Sequence, residues 1–403
     1  MAALVLARAG ARVLLLDRLR FPRDKACGDL LGPRAVGALQ ELGVTLRGAR
    51  RAEHIVLLGP SNRRALLPWP AGRSYPGYAL VVPRARLDAV LRAAALEAGA
   101  KELRARVVGL ALDHRDVRGV LLSDGTAVHS DFVLGADGAL SAVAAAAGLV
   151  RPGEVLWGLA LRCYLEAEVE QPAIVLWEPS RRRAFPGYGW LFPGPDGRAN
   201  LGLGAGVVAN RSLGRRVRVL LPRFVEELRR RGLLTASRIE PSDRRGAWLK
   251  LGMVGTTPAY GRIMLIGDAA GLVNPLQGEG IAEAMLSGRA AAEAILRRDG
   301  AAAREYLAFL AASFGRFQSS NAALHAALVT RPRALSAASR LLTAPGAARF
   351  LSGAWAIYWN DLLAGAAPGR ARAAAQMIAA GSRLATARSS IRRGVGDALA
   401  RTA

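Results

Sequence analysis

The chain has 403 residues, of which 52% are hydrophobic, and its formal net charge is +25. A chain of this length and apolar content can bury a sizeable core in two or three domains or in one composite fold, which excludes global disorder. It contains no apolar run close to the roughly 20 residues of a membrane-spanning helix. The two distant cysteines, Cys27 and Cys163, and the four scattered histidines predict a reducing, cytoplasmic location and no metal site.

The positive charge is almost entirely arginine, because only three of the 56 basic residues are lysines. Nucleotide composition bias in the source genome explains such a pattern, and a solvated basic surface is the favoured interpretation. Attraction to an anionic membrane surface is the main alternative. We expect no nucleic-acid binding, since no nucleic-acid-binding module is recognisable. The N-terminal residues are apolar but lack a basic leader, so we also expect no secretory signal.

The first predicted elements belong to a nucleotide-binding unit. Residues 2–9 are typical of the end of a helix, Gly10 terminates it, and the apolar run 12–16 suits a buried parallel strand that Asp17 closes. Together they form the second half of a βαβ unit. A complete unit starts with a strand and a glycine-rich loop, so we expect a natural start about 10–20 residues upstream, or a truncation.

Further elements follow in chain order. Leu87, Val90, Leu91 and Ala94 lie at helical spacing, and Gly99 ends that helix. The remaining patterns predict a β-meander at 103–133, strands within 157–207, a helix at about 213–231, a buried strand at 262–266 and helices beyond it.

Four segments resemble the geranylgeranyl reductase family of flavoproteins, which have the p-hydroxybenzoate hydroxylase-like fold. The segments are FPRDKACGD (21–29), VLGADGALS (133–141), YGWLFP (188–193) and IGDAAGLVNPLQGEGI (266–281). The resemblance covers nearly the whole chain and weakens after about residue 300. Two positions depart from the family pattern, namely Ala26 in place of proline and Leu30 in place of glycine, and both lie in the loop expected beside the flavin.

The resemblance implies an α/β fold with a Rossmann-like FAD-binding domain, an antiparallel-sheet substrate domain and a helical C-terminal extension. We expect the FAD-binding domain to comprise residues 1–50, 80–150 and 255–300, the substrate domain 51–79 and 151–250, and the extension 301–403. The implied activity is the saturation of carbon–carbon double bonds in a prenyl lipid or isoprenoid quinone. The implied cofactor is FAD, reduced by NAD(P)H or by a small redox protein.

The cofactor residues follow from the resemblance and from local physics. Asp268, at the end of a strand, is expected to accept hydrogen bonds from the ribityl hydroxyls of FAD. The helix that starts near Ile281 presents unpaired N–H groups and a positive dipole end, which favour reduced, anionic flavin. Asp17 is expected at the adenosine ribose. The other expected cofactor contacts are Cys27, Gly28, Arg84, Asp137, Gly138, Gly267, Gly278 and Gly280.

The catalytic and substrate residues come from two of the segments. Cys27 is expected near the isoalloxazine ring, where Arg23 and Lys25 could lower the pKa of its thiol; simple packing is the alternative. Tyr188, Trp190 and Phe192 alternate along a strand and so share one face, which the resemblance makes a substrate wall. Either Tyr188 or a water molecule could donate the proton that completes the saturation of the double bond. Cys163 is expected in the core.

Three other functions are compatible with the sequence. A flavin-dependent aromatic hydroxylase or a halogenase would use the same fold. Halogenases carry a W-x-W-x-I-P pattern where this chain has Tyr188, Trp190, Phe192 and Pro193, which makes that branch the weaker of the two. The absent glycine-rich loop also allows a flavin-free, inactive scaffold.

Overall fold

The computed structural model describes residues 1–69, 75–114, 116–207, 213–234, 244–297 and 300–347. Within these ranges the helices are α1 (Ala2–Arg8), α2 (Pro33–Glu41), α3 (Arg84–Glu97), α4 (Ala142–Ala146), α5 (Leu213–Arg230), α6 (Ile281–Leu296), α7 (Ala302–Leu310), α8 (Arg316–Val329) and α9 (Pro332–Leu342). A 3-10 turn spans Gly267–Ala270, and one π-helical turn, Ala311–Gly315, joins α7 to α8.

The strands are short apart from those of the largest sheet. In chain order they are β1 (Leu14–Asp17), β2 (Leu30–Leu31), β3 (Arg50–Ala52), β4 (His54–Leu58), β5 (Arg64–Pro68), β6 (Ala79–Val81), β7 (Lys101–Arg104), β8 (Val107–Asp113), β9 (Asp116–Leu122), β10 (Ala127–His129), β11 (Val133–Gly135), β12 (Leu156–Glu166), β13 (Ala173–Val175), β14 (Gly187–Pro193), β15 (Arg198–Val207), β16 (Arg245–Leu251), β17 (Ala259–Tyr260) and β18 (Ile263–Leu265).

The largest sheet has seven strands in the order β16-β12-β15-β14-β13-β4-β5, and all its pairs are antiparallel except β13 with β4. Helix α5 packs on one face of it through buried residues at helical spacing, among them Val217, Leu221, Phe224 and Leu228. A Cβ at Gly189 would lie 2.0 Å from the Phe224 ring, so glycine is what allows this close packing. The opposite face of the sheet, which carries Trp190 and Phe192, packs partly against β2 and β6 and lines part of a cavity.

The nucleotide-binding side consists of small parallel pairs with helices against them. Strand β1 pairs with β7, β11 pairs with β18, and α6 packs beside α1 and α2. The predicted meander is correct only for β8, β9 and β10, because residues 101–104 instead pair in parallel with β1. This mixture of parallel strands, covering helices and an antiparallel sheet confirms the expected α/β class.

The remaining predictions concern the core and the C-terminal region. Cys163 is fully buried on the α5 face of the sheet, as expected. The predicted helical region 301–403 is described as far as residue 347, where it is helical, and its remainder lies outside the described residues. Of the helices that the structure does describe, each is too short or too polar to cross a bilayer.

Candidate active site

The loop before β2 is fixed by a buried aspartate at its end. Asp29 has a φ of +66° and is 1% exposed. Its carboxylate accepts hydrogen bonds from the Tyr164 hydroxyl at 2.6 Å, the Asn200 amide at 2.8 Å and the Arg84 backbone N–H at 3.1 Å. Three charge-assisted bonds to one carboxylate hold the loop, and therefore Cys27, in a single position.

Cys27 faces the cavity beside an arginine that the sequence did not single out for this role. Burial raises the pKa of the Cys27 thiol, and the nearby Arg84 guanidinium offsets only part of that effect. The expectation that Arg23 and Lys25 would lower this pKa is wrong. Arg23 instead pairs with Asp17 and with Asp88, each at 3.1 Å, and Lys25 pairs with Asp268 at 3.4 Å. The thiol is therefore neutral at neutral pH.

Strand β14 presents the three predicted aromatic residues to the cavity. Tyr188, Trp190 and Phe192 all line it, and their rings are 6.3 and 6.5 Å apart between neighbours. Gly202 lies opposite Trp190 on β15, and a Cβ there would be only 2.2 Å from the indole. Glycine at position 202 therefore allows the Trp190 indole to pack directly against β15.

Gly28 brings the Cys27 loop against the aromatic wall. A Cβ at Gly28 would lie 2.9 Å from the Phe192 ring and 3.3 Å from the Trp190 Nε1. The loop therefore touches the wall through backbone alone. The two segments, which are far apart in the sequence, therefore meet in the structure.

The turn after β18 carries the predicted ribityl-binding aspartate. Asp268 lies in the turn Gly267–Ala270 and lines the cavity, with its side chain 13% exposed. The Nζ of Lys250, on β16, donates a hydrogen bond to the Ala269 carbonyl at 2.6 Å and so stabilises this turn. Burial lowers the pKa of Lys250 to about 8. No sequence motif assigns Lys250 this role, although it lies only 19 residues before Ala269.

The start of α6 forms the opposite edge of the cavity. Gly278, Gly280 and Ile281 line it, and Gly280 is the N-cap of a 16-residue helix. Gly278 has a φ of +67°, and a Cβ there would lie 2.6 Å from the Tyr188 hydroxyl oxygen. The helix N-terminus and the two glycines thus expose backbone to the cavity beside Asp268.

The other predicted cofactor residues divide into two groups. Arg84 and Gly138 line the cavity. Asp17 and Asp137 do not appear among its lining residues. Asp17 accepts from the Arg23 guanidinium, and the Asp137 carboxylate accepts from the backbone N–H groups of Ala142 and Val143 at the start of α4. Their predicted contacts with the cofactor therefore stay predictions.

The cavity joins these parts into one space of about 470 Å³. Ligand pockets commonly have volumes of this order. Its lining is mainly apolar, and its charged or titratable side chains are those of Arg23, Lys25, Cys27, Arg84, Asp88, Tyr188, Asp268, Glu279 and His325. The sequence analysis did not identify Glu279 or His325 as site residues, because neither the motifs nor their spacing show which side chains face the cavity.

The residues around α6 fit FAD. A Cβ at Gly267 would lie 2.7 Å from Ala284, and a Cβ at Gly280 would lie 3.1 Å from Val273. Glycine at these two positions therefore lets the backbone of this segment pack closely against its neighbours. Asp268 offers an acceptor for hydroxyl groups, and the helix N-terminus favours a negatively charged partner. These are the features that the ribityl chain and reduced ring of FAD require.

Comparisons with known proteins agree with this geometry. A model of the FAD binding domain family matches residues 1–297. The menaquinone reductase of Mycolicibacterium smegmatis is 38% identical over 294 residues, 71% of each chain. The digeranylgeranylglycerophospholipid reductase 2 of Methanopyrus kandleri is 33% identical over 303 residues, 72% of each chain.

Solved structures share the fold. A geranylgeranyl bacteriochlorophyll reductase-like protein of Thermoplasma acidophilum superposes with a TM-score of 0.71 at 24% identity, covering 88% of this chain and 92% of its own. A flavin-dependent brominase superposes with a TM-score of 0.67 at 18% identity, covering 93% and 95%. The chain belongs to the FAD binding domain family and is an FAD-dependent oxidoreductase of the geranylgeranyl reductase type.

Proposed function

We propose that this enzyme saturates carbon–carbon double bonds in a prenyl chain, either the side chain of an isoprenoid quinone or a geranylgeranyl lipid. The observation that carries the proposal is the aromatic wall of Tyr188, Trp190 and Phe192, which shares one apolar cavity with Asp268 and the start of α6. The relatives named menaquinone reductase and digeranylgeranylglycerophospholipid reductase support the same substrate class.

An apolar cavity suits a substrate that has no hydrogen-bonding groups along its length. Each buried CH₂ group contributes about 0.8 kcal/mol, so a chain of roughly twenty carbons can be held by burial alone. Rigid aromatic side chains lose little conformational entropy on binding. We therefore assign the cavity-facing side of the seven-stranded sheet, within residues 51–79 and 151–250, to the substrate, and residues 1–50, 80–150 and 255–300 to FAD.

The chemistry divides between the cofactor and the protein. When bound and reduced by NAD(P)H or a small redox protein, FAD supplies a hydride. The protein positions the alkene, excludes water and supplies a proton. Cys27 and Tyr188 both line the cavity, but neither releases its proton readily. Burial raises the pKa of each, and the Tyr188 hydroxyl donates its hydrogen to the Gln277 carbonyl.

The oxygenase alternatives share the fold, so the fold alone does not separate them from a reductase. The sequence at Tyr188 to Pro193 differs from the halogenase pattern, and the apolar cavity suits a chain better than it suits a single polar ring. Oxygen dependence separates the two classes, because saturation needs no oxygen whereas hydroxylation and halogenation do. A panel of prenyl quinones, prenyl lipids and simple aromatic acids, each incubated with and without air, identifies the class by product mass.

Because the proposed substrate is a lipid, we expect the protein to contact an anionic membrane surface. Residues 301–403 carry thirteen arginines against three acidic residues, Glu305, Asp361 and Asp397, although most of this segment lies outside the described residues. Each basic residue near an anionic bilayer contributes about 1 kcal/mol, and salt screens this attraction. Cosedimentation with anionic vesicles at low salt, lost at high salt, is the expected result; no binding at low salt would leave the charge as a composition effect.

A further inference from the structure

Glu279 is a buried acid that the described part of the structure leaves without a hydrogen-bond partner. It stands between Gly278 and Gly280 at the entrance to α6, is 6% exposed and lines the cavity. Among the described residues, neither of its carboxyl oxygens has a hydrogen-bond partner. Of the cationic groups that the structure describes, the Arg34 guanidinium lies near it, with Nη2 3.9 Å away and too distant for a hydrogen bond. A polar group in this state is costly unless it is neutral.

The neighbouring acid Glu283 explains why Glu279 is neutral. Glu283 lies one turn further along α6, and the same Arg34 Nη2 donates to its Oε1 at 2.6 Å. One guanidinium therefore faces two buried carboxyl groups and is committed to Glu283. Burial, followed by the negative charge of Glu283, raises the pKa of Glu279 well above its ordinary value.

The groups that face Glu279 come from three elements. Arg34 projects from α2, Glu283 from α6 and Tyr188 from β14. Only Arg34 among them is cationic, and it is bonded to Glu283. Among the described residues, the proton on Glu279 consequently has no unpaired basic neighbour to take it.

We propose that Glu279 is the general acid that protonates the alkene, an assignment that rests on the proposed function. Saturating one double bond adds two hydrogens, one as a hydride with its two electrons, which reduced flavin supplies, and one as a proton. The O–H bond of Glu279 breaks as a C–H bond forms at one alkene carbon, while the hydride goes to the other carbon. The resulting carboxylate then regains a proton from solvent before the next turnover.

The geometry favours Glu279 over the two catalytic residues suggested by the sequence. The Tyr188 hydroxyl already donates to the Gln277 carbonyl, and burial raises the pKa of the Cys27 thiol. Glu279 carries its proton into the cavity with no bond to break within the protein. A protonated carboxylic acid is also a far stronger acid than a thiol or a phenol.

The first test compares two glutamate-to-glutamine variants. Glu279→Gln keeps the size of the side chain but removes the acidic proton. Glu305→Gln makes the same change in a residue that pairs with Arg297 at 3.0 Å and does not line the cavity. We expect Glu279→Gln to retain its flavin absorbance and its affinity for the prenyl quinone, and to lose about 100-fold or more of the saturation rate, the usual effect of a general acid. Glu305→Gln should keep the wild-type rate.

The second test needs no turnover. At neutral pH exposed carboxyl groups are ionised, so a carboxylic acid C=O band in the infrared spectrum of the wild type reports a buried, protonated acid. One component of the band should disappear in Glu279→Gln and persist in Glu305→Gln, separate from any contribution of Asp29, whose pKa burial also raises. A spectrum with no band that depends on Glu279 would overturn the assignment.

A third variant separates an acid from a merely structural residue. Glu283→Gln frees Arg34 to pair with Glu279, which should lower the pKa of Glu279 and move the alkaline limb of the rate–pH profile to lower pH. An unmoved profile, or a Glu279→Gln enzyme as fast as the wild type, contradicts the proton-donor role alone. A wild type that saturates none of the prenyl compounds contradicts the proposed function itself, and the donor role with it.

Discussion

The side-chain amide of Asn200, on β15, donates a hydrogen bond to the backbone carbonyl of Cys27 at 2.7 Å. The same side chain accepts from the Trp190 Nε1 at 2.9 Å and donates to Asp29 at 2.8 Å. One buried residue thus connects the cysteine loop, its aspartate anchor and the aromatic wall. The relative position of the proposed cofactor side and substrate side depends on it.

Removing this connection should loosen both sides at once. Asn200→Ala leaves the Trp190 N–H and an Asp29 oxygen buried with fewer partners, and each such loss costs about 1–3 kcal/mol. We expect a lower free energy of unfolding, measured by denaturant titration, together with slower turnover. Gln40→Ala, which removes an exposed hydrogen bond to Tyr78, is the control and should change stability by less than about 0.5 kcal/mol. Equal stability of the two variants would contradict the anchoring role.

Asp268 should matter for the cofactor more than for the fold. Asp268→Ala removes a charged acceptor from the cavity, and hydrogen bonds to charged groups contribute about 1.5–3 kcal/mol. The dissociation constant for FAD, measured by fluorescence titration, should therefore rise about ten- to a hundredfold. Asp196→Ala removes an exposed acid that pairs with Arg198 and should bind FAD normally. An unchanged constant in Asp268→Ala would take this residue out of the cofactor site.

Gly278 and Gly148 have nearly the same backbone conformation in different surroundings. Their φ angles are +67° and +66°, but a Cβ at Gly278 would lie 2.6 Å from the Tyr188 oxygen, whereas a Cβ at Gly148 would meet nothing within 4 Å. Alanine at either position adds about 1–2 kcal/mol of left-handed strain. Only Gly278→Ala should also displace Tyr188 and lower the saturation rate. Equal rates in the two variants would show that Tyr188 is not held where the structure has it.

The sequence predicted the parts of this site that depend on local pattern. Alternation along β14 was enough to place Tyr188, Trp190 and Phe192 on one face, and glycine and aspartate spacing located the turn at Asp268. Contacts over long sequence separations could not be predicted in this way. Asn200 lies 173 residues from Cys27, and no feature of either segment's sequence indicates that the two residues are in contact.

Charges illustrate the same limit. Arg23 and Lys25 are close to Cys27 in sequence, but folding pairs them with acids elsewhere and brings Arg84 to the thiol instead. Glu279 stood in a recognised motif, yet its neutral state depends on Arg34 being taken by Glu283. Which of several acids a base will pair with is a property of the packed structure.

His325 should make the protein sensitive to acid. Burial lowers its pKa from 6.5 to about 4. Between these two values the unfolded chain binds a proton that the folded chain does not, so the stability contribution is complete above pH 6.5 and is lost as the pH falls towards 4. The loss is on the order of 3 kcal/mol. Unfolding midpoints from pH 4.5 to 8 should fall less steeply in His325→Gln than in the wild type. The exposed control His129→Gln should follow the wild type, and parallel curves for all three would contradict this assignment.

The reaction itself gives the most direct test of the proposed function. The FAD-loaded enzyme is reduced by dithionite without oxygen and mixed with a menaquinone or a geranylgeranyl lipid in a single turnover, and the products are weighed by mass spectrometry. Since each saturated bond gains two hydrogens, the account predicts a product about two mass units heavier per bond, with one flavin reoxidised for each bond. A product that forms only in air and carries an added oxygen or halogen would contradict it.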